Sequence, residues 1–499
     1  MADQSVNIGF EKHIWDAACE LRGNIDASEY KHVILGLIFL KYVSDKAYSF
    51  ANELRLHEDA DPYDKDEYLA ENVFYVPTEA SWTYLQKHAH TAEIGKKIDN
   101  AMALIEKENP RLKGVLPKNF ARPELDKRIL GNVVDLFTNV EMHDQAHNKD
   151  VLGRAYEYCL AMFAQTGGRR GGEYYTPAGI VQTMVEILEP YEGRVYDPAC
   201  GSGGMFVQSA RFLENHSGNL RNISIYGQDS NATTRKLALM NLAIRGIYAD
   251  LGPEAADTFH RDLHPTLKAD FIMANPPFNL KGWGASALKD DVRWKYGTPS
   301  DGNANYAWIQ HMIHHLSDKG KMGLVLANGA ISSNTNGEGN MRRLIVEDDL
   351  VECIISMPAN LFYTVTIPVT IWILNKDKKQ KGKTLFIDAR KLGYMESRVL
   401  RKLSQEDIDR LAATYHNFTK GEDVNELGYA AAVGMDEIEK HDFVLTPGRY
   451  VGIEEEEEDS EPFEEKMERL TGELKALFIT SDELQTRIAK EMKNINFDL

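Results

Sequence analysis

"VYDPACGSGGMF" occupies Val195–Phe206. An apolar pair runs into Asp197, and Asp197 leads to a turn containing Gly201, Gly203 and Gly204. Val195-Tyr196 reads as the end of a first strand, and the glycines as the turn into a helix. In open α/β sheets ligands bind at the carboxyl ends of strands, where the strand order reverses. Glycine serves such a turn by allowing left-handed backbone and close approach of a ligand to the main chain. The turn is not a P-loop, since no Gly-Lys-Ser/Thr follows, and it lacks the GxGxxG spacing. A tight packing turn is the plainer alternative.

Reading outward, "ISIYGQD" ends a second strand in Asp229. An acid at that position meets ribose hydroxyls in dinucleotide folds; a helix N-cap for Asn231–Arg245 is the structural alternative. Asp262, in "HRDLHP", suits an exocyclic amine, with a surface turn as its alternative. "ADFIMANPPFNL" (Ala269–Leu280) then narrows the chemistry. Proline cannot continue a central strand, and the residue before it is pushed to extended geometry. Asn275 is therefore fixed at a strand end, followed by Pro276, Pro277 and Phe278. The Asn275 side-chain oxygen and the Pro276 carbonyl can each accept a hydrogen bond from a planar NH2 group. Phe278 offers a ring on which a flipped base stacks, a contact worth on the order of 1–3 kcal/mol.

The texture of the chain agrees with this placement. Between Trp82 and Glu106 and between Leu125 and Phe137 the apolar residues recur at helical spacing, as they do over residues 10–58. No strand alternation precedes residue 190. Thereafter "GRVYDPA", "ISIYGQD", "ADFIMANPP", "GKMGLVLAN", "LVECIISMP", "VTIWILNK" and "KTLFIDA" read as strands, most of them separated by helices. That order implies an α/β fold with a mostly parallel sheet covered on both faces, and the shorter late connections suggest an antiparallel edge. The expected division is a helical domain over 1–150, an α/β domain over 151–453, and an acidic linker with a terminal helix over 454–499. After "EEEEEDSEP", Phe463, Met467, Leu470, Leu474, Leu477, Leu484 and Ile488 form a heptad-like seam, broken by polar Ser481.

Several classes are excluded or disfavoured. At 499 residues and 43% hydrophobic content the chain can bury sizeable cores. No run of about 18 apolar residues suggests a membrane span, and no secretion signal opens the sequence. The four scattered cysteines fit a reducing cytosol rather than a disulfide framework. Cys200 reads as a packing residue. His311 and His315 stand one helical turn apart, but no third ligand is near in sequence, so no metal is expected. The net charge of −19 excludes DNA binding through the overall field alone.

DPACGSGG followed by NPPF resembles the amino-group DNA methyltransferases that use S-adenosylmethionine. "GGEYYTPAGIV" (Gly171–Val181) resembles the segment that precedes the glycine turn in one permutation class. "FLKYVSDK", "VLGRAYEYCLAMFA" and "NANYAWIQHMIHHL" resemble the modification subunit of type I restriction-modification systems, over roughly residues 10–450. The resemblance implies a doubly wound Rossmann-like sheet and adenine-N6 methylation of a DNA site in the cytoplasm. It implies a cofactor site of Glu173, Tyr174, Tyr175, Thr176, Asp197, Ala199, Gly201, Ser202, Gly203, Gly204, Asp229, Asp262 and Asn275. It places catalysis at Asn275, Pro276, Pro277 and Phe278, and implies double-stranded DNA, a specificity subunit bound by two copies of this chain, and a restriction subunit as partners. A methyltransferase acting on a protein glutamine amide or on RNA, or a non-catalytic DNA-associated scaffold, would share part of this pattern. The long segment Asn279–Asn305, with Lys281, Trp283, Lys289, Arg293, Trp294 and Lys295, is expected to suit an unstacked DNA strand, and Arg169 and Arg170 stand near the same mouth.

Overall fold

The computed structural model describes residues 15, 27–57, 60–138, 151–166, 176–216, 218–362, 367–453 and 463–494. Glu173, Tyr174, Tyr175, Arg169 and Arg170 lie outside the described residues. Residues Met1–Val451 form one compact unit and Gly452–Leu499 a second.

The first unit opens with helices α1 (Ala27–Leu54), α2 (Lys65–Ala70), α3 (Trp82–Lys87), α4 (Ile94–Glu108), α5 (Lys127–Thr138) and α6 (Val151–Thr166). Among the described residues no strand precedes Gly193. In α1, Val33, Ile34, Leu35, Leu37, Ile38, Phe39 and Leu40 are all fully buried. A helix that is apolar on every side belongs inside a bundle, and the others pack around it. The helix expected from Trp82 to Glu106 is broken at His88, because α3 ends there and α4 starts only at Ile94.

The α/β part adds α7 (Ala178–Leu188), β1 (Gly193–Asp197), α8 (Gly204–Asn215), β2 (Ile223–Gly227), α9 (Ala232–Ile244), β3 (Ala249–Asp250) and β4 (Ala269–Ala274). There follow α10 (Asn305–His315), β5 (Leu316–Ala327), α11 (Glu338–Glu347), β6 (Val351–Ser356), β7 (Val369–Asn375) and β8 (Lys383–Asp388). A short ribbon of β9 (Tyr394–Met395) and β10 (Arg401–Lys402) precedes α12 (Gln405–Lys420), β11 (Ala430–Gly434) and α13 (Met435–Lys440). The sheet order is β11-β8-β6-β7-β5-β4-β1-β2-β3. β1 pairs in parallel with both β2 and β4, so the strand order reverses at β1 and leaves a crevice at its carboxyl end. The expected antiparallel element is present, but not only at an edge. β7 runs antiparallel between β5 and β6, and β11 runs antiparallel on the outer side of β8.

Helices cover both faces. Residues of α7, α8 and α12 fill the core on one side, and those of α10, α11 and α13 fill it on the other. The helical region is continuous with this body, since Leu237, Met240 and Ile244 of α9 belong to its core. The Tyr156 hydroxyl donates to the Leu237 carbonyl at 3.2 Å. No helix among the described residues is long and apolar enough to cross a membrane. Among its described residues the second unit holds one helix, α14 (Phe463–Asn494), which runs through Ser481 without interruption.

Candidate functional site

The crevice at the reversal point is a partly open cleft. Thr176, Asp197, Ala199, Gly201, Ser202, Gly204 and Asn275 line it, so most of the described residues expected at the site converge there. The turn is built by backbone. Gln228 N–H donates to the Asp197 carbonyl at 3.1 Å, and Cys200 N–H to the Gln228 carbonyl at 3.0 Å. Gly201 and Gly203 hold φ of +55° and +81°, a region that side chains disfavour. Gly203 then caps α8 with no side chain on the helix start, and a Cβ at Gly204 would meet nothing within 4 Å. The result is a pocket floor made of main chain.

Two carboxylates stand at the ends of adjacent strands. Asp197 is 2% exposed and accepts from Ala199 N–H at 2.9 Å. Burial, opposed by that hydrogen bond and reinforced by the charge of Asp229, raises its carboxyl to about 8. Asp229 accepts from Gly201 N–H at 3.1 Å and Asn231 N–H at 2.8 Å, and burial raises it to about 6. The helix cap alternative for Asp229 fails, because the cap of α9 is Asn231, which accepts from Thr233 and Thr234 N–H. Two buried acids with raised proton affinity, and no cationic side chain among the described residues bonded to either, suit a ligand carrying positive charge and hydroxyls. Beside them Cys200 is buried, and burial together with both acids pushes its thiol far up, so it stays protonated.

Asn275 supplies the third feature. Its Nδ2 donates to Thr176 Oγ1 at 3.0 Å, which orients the amide. Its Oδ1 is buried and has no hydrogen-bond partner. An orphaned buried acceptor costs about 1–3 kcal/mol unless a donor arrives. Here it lines the cleft, beside a strand that the Pro276-Pro277 pair has ended.

Residues 147–459 match the family described as N-6 DNA methylase, and residues 10–137 match the HsdM N-terminal domain. The chain belongs to the N-6 DNA methylase family. It is 49% identical over 414 residues to the type I restriction enzyme HindI methylase subunit of Haemophilus influenzae, covering 81% of this chain and 93% of that protein. It is 38% identical over 515 residues to the MjaIX methylase subunit of Methanocaldococcus jannaschii, covering 98% and 92%. The structure of a type I restriction-modification methyltransferase subunit from Streptococcus thermophilus matches with a TM-score of 0.76 at 25% identity, over 89% of this chain and 99% of that one.

In this N-6 DNA methylase some expected residues sit elsewhere. Phe278 is half-buried and meets Phe362 edge to face, with ring centres 5.8 Å apart. Pro276 is buried and Pro277 exposed, and neither lines the cleft. Asp262 also lies outside the cleft lining, because its carboxylate is engaged by His264 N–H at 2.8 Å and by His315 Nε2 at 2.9 Å. Trp283, Trp294 and Arg293 are not presented to solvent. The two tryptophans pack with Phe259 and Trp308, and Arg293 donates to the Thr258 and Phe259 carbonyls. Lys281 and Lys289 of that segment are exposed. Glu157 and Asn241 line the cleft without having been singled out in the sequence. Asn241 donates to the Ser202 carbonyl at 2.8 Å, and its mid-helix position among apolar residues was the available signal.

Asp262, His311 and His315 bring three metal-type ligand atoms within 4.8 Å of one another. Each ring nitrogen already has a partner. Arg293 donates to His311 Nδ1 at 3.1 Å, and His311 Nε2 faces the Tyr196 hydroxyl at 3.2 Å. His315 faces the Leu267 carbonyl at 3.0 Å and Asp262 at 2.9 Å, so both of its ring nitrogens are engaged. Burial alone would raise the Asp262 carboxyl, but the hydrogen bond and charge of His315 outweigh it and hold it at about 2. A guanidinium beside His311 disfavours a metal cation further. Replacing His315→Leu therefore leaves the half-buried Asp262 carboxylate with only the His264 N–H and is expected to cost about 1–3 kcal/mol in urea unfolding. Zinc is expected to move the thermal midpoint of the wild-type chain by less than about 1 °C. A clear stabilisation by zinc would overturn the ion-pair assignment.

Proposed function

We propose that the cleft binds S-adenosylmethionine on Asp197, the Gly201–Gly204 turn and Asp229, and that Asn275 presents the adenine amine to it. The protein is an adenine-specific DNA methyltransferase of the type I restriction-modification systems. When bound, S-adenosylmethionine supplies an electrophilic methyl group on a positively charged sulfur. The residues fit that ligand: an uncapped glycine turn gives it room, and two acids without cationic partners answer its charge and hydroxyls. Asp197 is assigned to the cation or a hydroxyl and Asp229 to the ribose, with Thr176 and Ser202 at the cleft wall. Glu173, Tyr174 and Tyr175 are assigned to closure over the same ligand on the sequence resemblance alone.

The observation that carries the reading is the orphaned Asn275 Oδ1. Adenine N6 is a poor nucleophile because its lone pair is delocalised into the ring. Acceptors at Asn275 Oδ1 and the Pro276 carbonyl would hold its two hydrogens and localise that pair on nitrogen. Transfer then depends on positioning, with Phe278 beside the flipped base. The Asn275→Ala variant is expected to lose about 10²–10³-fold in methyl transfer while binding S-adenosylmethionine as the wild type does. Normal turnover in that variant would refute the assignment, and methylation of RNA or protein rather than DNA would favour the rival substrates.

The raised carboxyl of Asp197 adds a pH dependence. Below about 8 the free protein holds a proton on Asp197. Binding a cation requires the carboxylate, so binding releases that proton and affinity falls as pH falls. Calorimetry between pH 6.5 and 8.5 is expected to show tighter S-adenosylmethionine binding with rising pH, by at most tenfold per unit for one proton. A flat profile would remove Asp197 from the cation site.

The domains divide accordingly: 1–150 as a helical domain that helps close the assembly on DNA, 151–453 as the methyltransferase, and 454–499 as linker and docking helix. Met467, Leu470, Leu474, Leu477, Leu484 and Ile488 of α14 are all exposed. Such a seam buries its stripe against other helices. We assign it to a specificity subunit that reads double-stranded DNA in the cytoplasm and carries two copies of this chain, with a restriction subunit completing the complex. Truncation before Phe463 is expected to leave S-adenosylmethionine binding intact and to abolish co-purification with the specificity subunit. Normal assembly of the truncated chain would refute the docking role.

A further inference from the structure

We infer that the ribbon after β8, residues 389–402, grips the sugar-phosphate backbone of duplex DNA beside the target base. The inference rests on the methyltransferase reading. "ARKLGYMESRVLRK" carries Arg390, Lys391, Arg398, Arg401 and Lys402 against a single acid, Glu396, in a chain of net charge −19.

Position gives this charge its meaning. β8 runs parallel to β6. β6 and β5 are both antiparallel to β7, and β5 is parallel to β4. The ribbon therefore leaves from the carboxyl edge of the sheet, the edge that holds the cleft. Its base is tied to the site at two points. Arg401 N–H donates to the Asn360 carbonyl at 2.8 Å, in the loop whose Phe362 meets Phe278. Leu403, just beyond, stands 3.5 Å from where a Cβ on Gly179 would lie, in the helix whose Ala178 lines the cleft. Gln182 also donates to Gln405 Oε1 at 2.8 Å.

The cations divide by role. The Arg401 guanidinium donates to the Leu392 carbonyl at 3.0 Å and braces the ribbon from within. Arg390 pairs with Asp388, and Lys402 with Glu396. Lys391 and Arg398 are exposed, as are Tyr394 and Val399 at 53% and 67%. Phosphate binding calls for exposed cations on a stiff, anchored element. Charge alone would not distinguish this ribbon. The turn between β7 and β8, residues 376–382, holds four lysines and one aspartate. It lies at the opposite edge, and Lys376 and Lys378 are used on the Leu316 carbonyl and Asp349. That turn is the internal control.

The test uses the full chain in complex with its specificity subunit. Binding of a fluorescent random-sequence duplex is measured over a series of salt concentrations. Methyl transfer to polymerase-amplified chromosomal DNA is measured alongside. The Lys391→Ala/Arg398→Ala variant is expected to bind about 30-fold more weakly at 0.15 M salt, with the slope of log K against log salt reduced by about 1.8, the value of two phosphate contacts. S-adenosylmethionine affinity and assembly should be unchanged. Lys379→Ala/Lys381→Ala should leave binding and slope as in the wild type. Unchanged binding in the ribbon variant, or an equal loss in the control, overturns the inference while leaving the methyltransferase reading intact. Loss of the specificity subunit from the ribbon variant would overturn it too, by making the ribbon a protein interface. If the wild-type complex methylates no DNA, both fall together.

Discussion

The site depends on holding two acids out of water without pairing them. Asp197 ends β1 opposite Gly227 of β2 and lines the cleft, while Asp229 follows two residues beyond that strand end, outside the lining, and accepts from Gly201 N–H of the glycine turn. Only backbone N–H groups answer them. That is enough to keep them in place and too little to hold both as comfortable anions, so their protons are held at raised pH. A lysine or arginine at either position would relieve the repulsion and also occupy the space. The glycine turn has the same logic in steric form, with left-handed backbone at Gly201 and Gly203 and open room at Gly204. The polypeptide leaves both a charge and a volume for its ligand to complete.

Asn275 extends this principle to the acceptor. Thr176 takes one end of the amide and leaves the other without a donor. The Pro-Pro sequence ensures that the strand cannot continue and absorb Asn275 into a ladder. Asn279, with φ of +52°, then turns the chain away, and Asn305 holds it by receiving its N–H at 3.1 Å and donating to its Oδ1 at 2.9 Å. The strand end is therefore locked on both sides, while Asn275 Oδ1 is left unsatisfied. Buried polar atoms without partners are costly, and among the described residues that carry one, Asn275 is the one that lines the cleft.

The sequence made the strand ends legible because the signals there are local. An apolar run stopped by Asp, by Gly-Gln-Asp or by Asn-Pro-Pro admits few backbone solutions, and β1, β2 and β4 lie where those runs stand. The place of β7 was not legible, since strand order is a matter of long-range pairing and nothing within "VTIWILNK" states its neighbours. The segment after Phe278 misled for a different reason. Tryptophans and cations among glycines look the same whether they face solvent or fold inward, and Trp283, Trp294 and Arg293 fold inward on Phe259. Asp262 could not be placed from sequence either. Its partner His315 is 53 residues away, and only the packing of α10 against the loop brings them together.

The charge balance follows from the same division between inside and outside. Many of the acids lie away from the crevice, and a surface of net charge −19 repels a polyanion on average. Approach to DNA must then be made through limited basic regions and through other chains. The fold provides for both kinds of approach. A braced, basic ribbon rises from the edge that holds the cleft, and an exposed apolar seam runs along a 32-residue helix, about 48 Å of surface at 1.5 Å per residue.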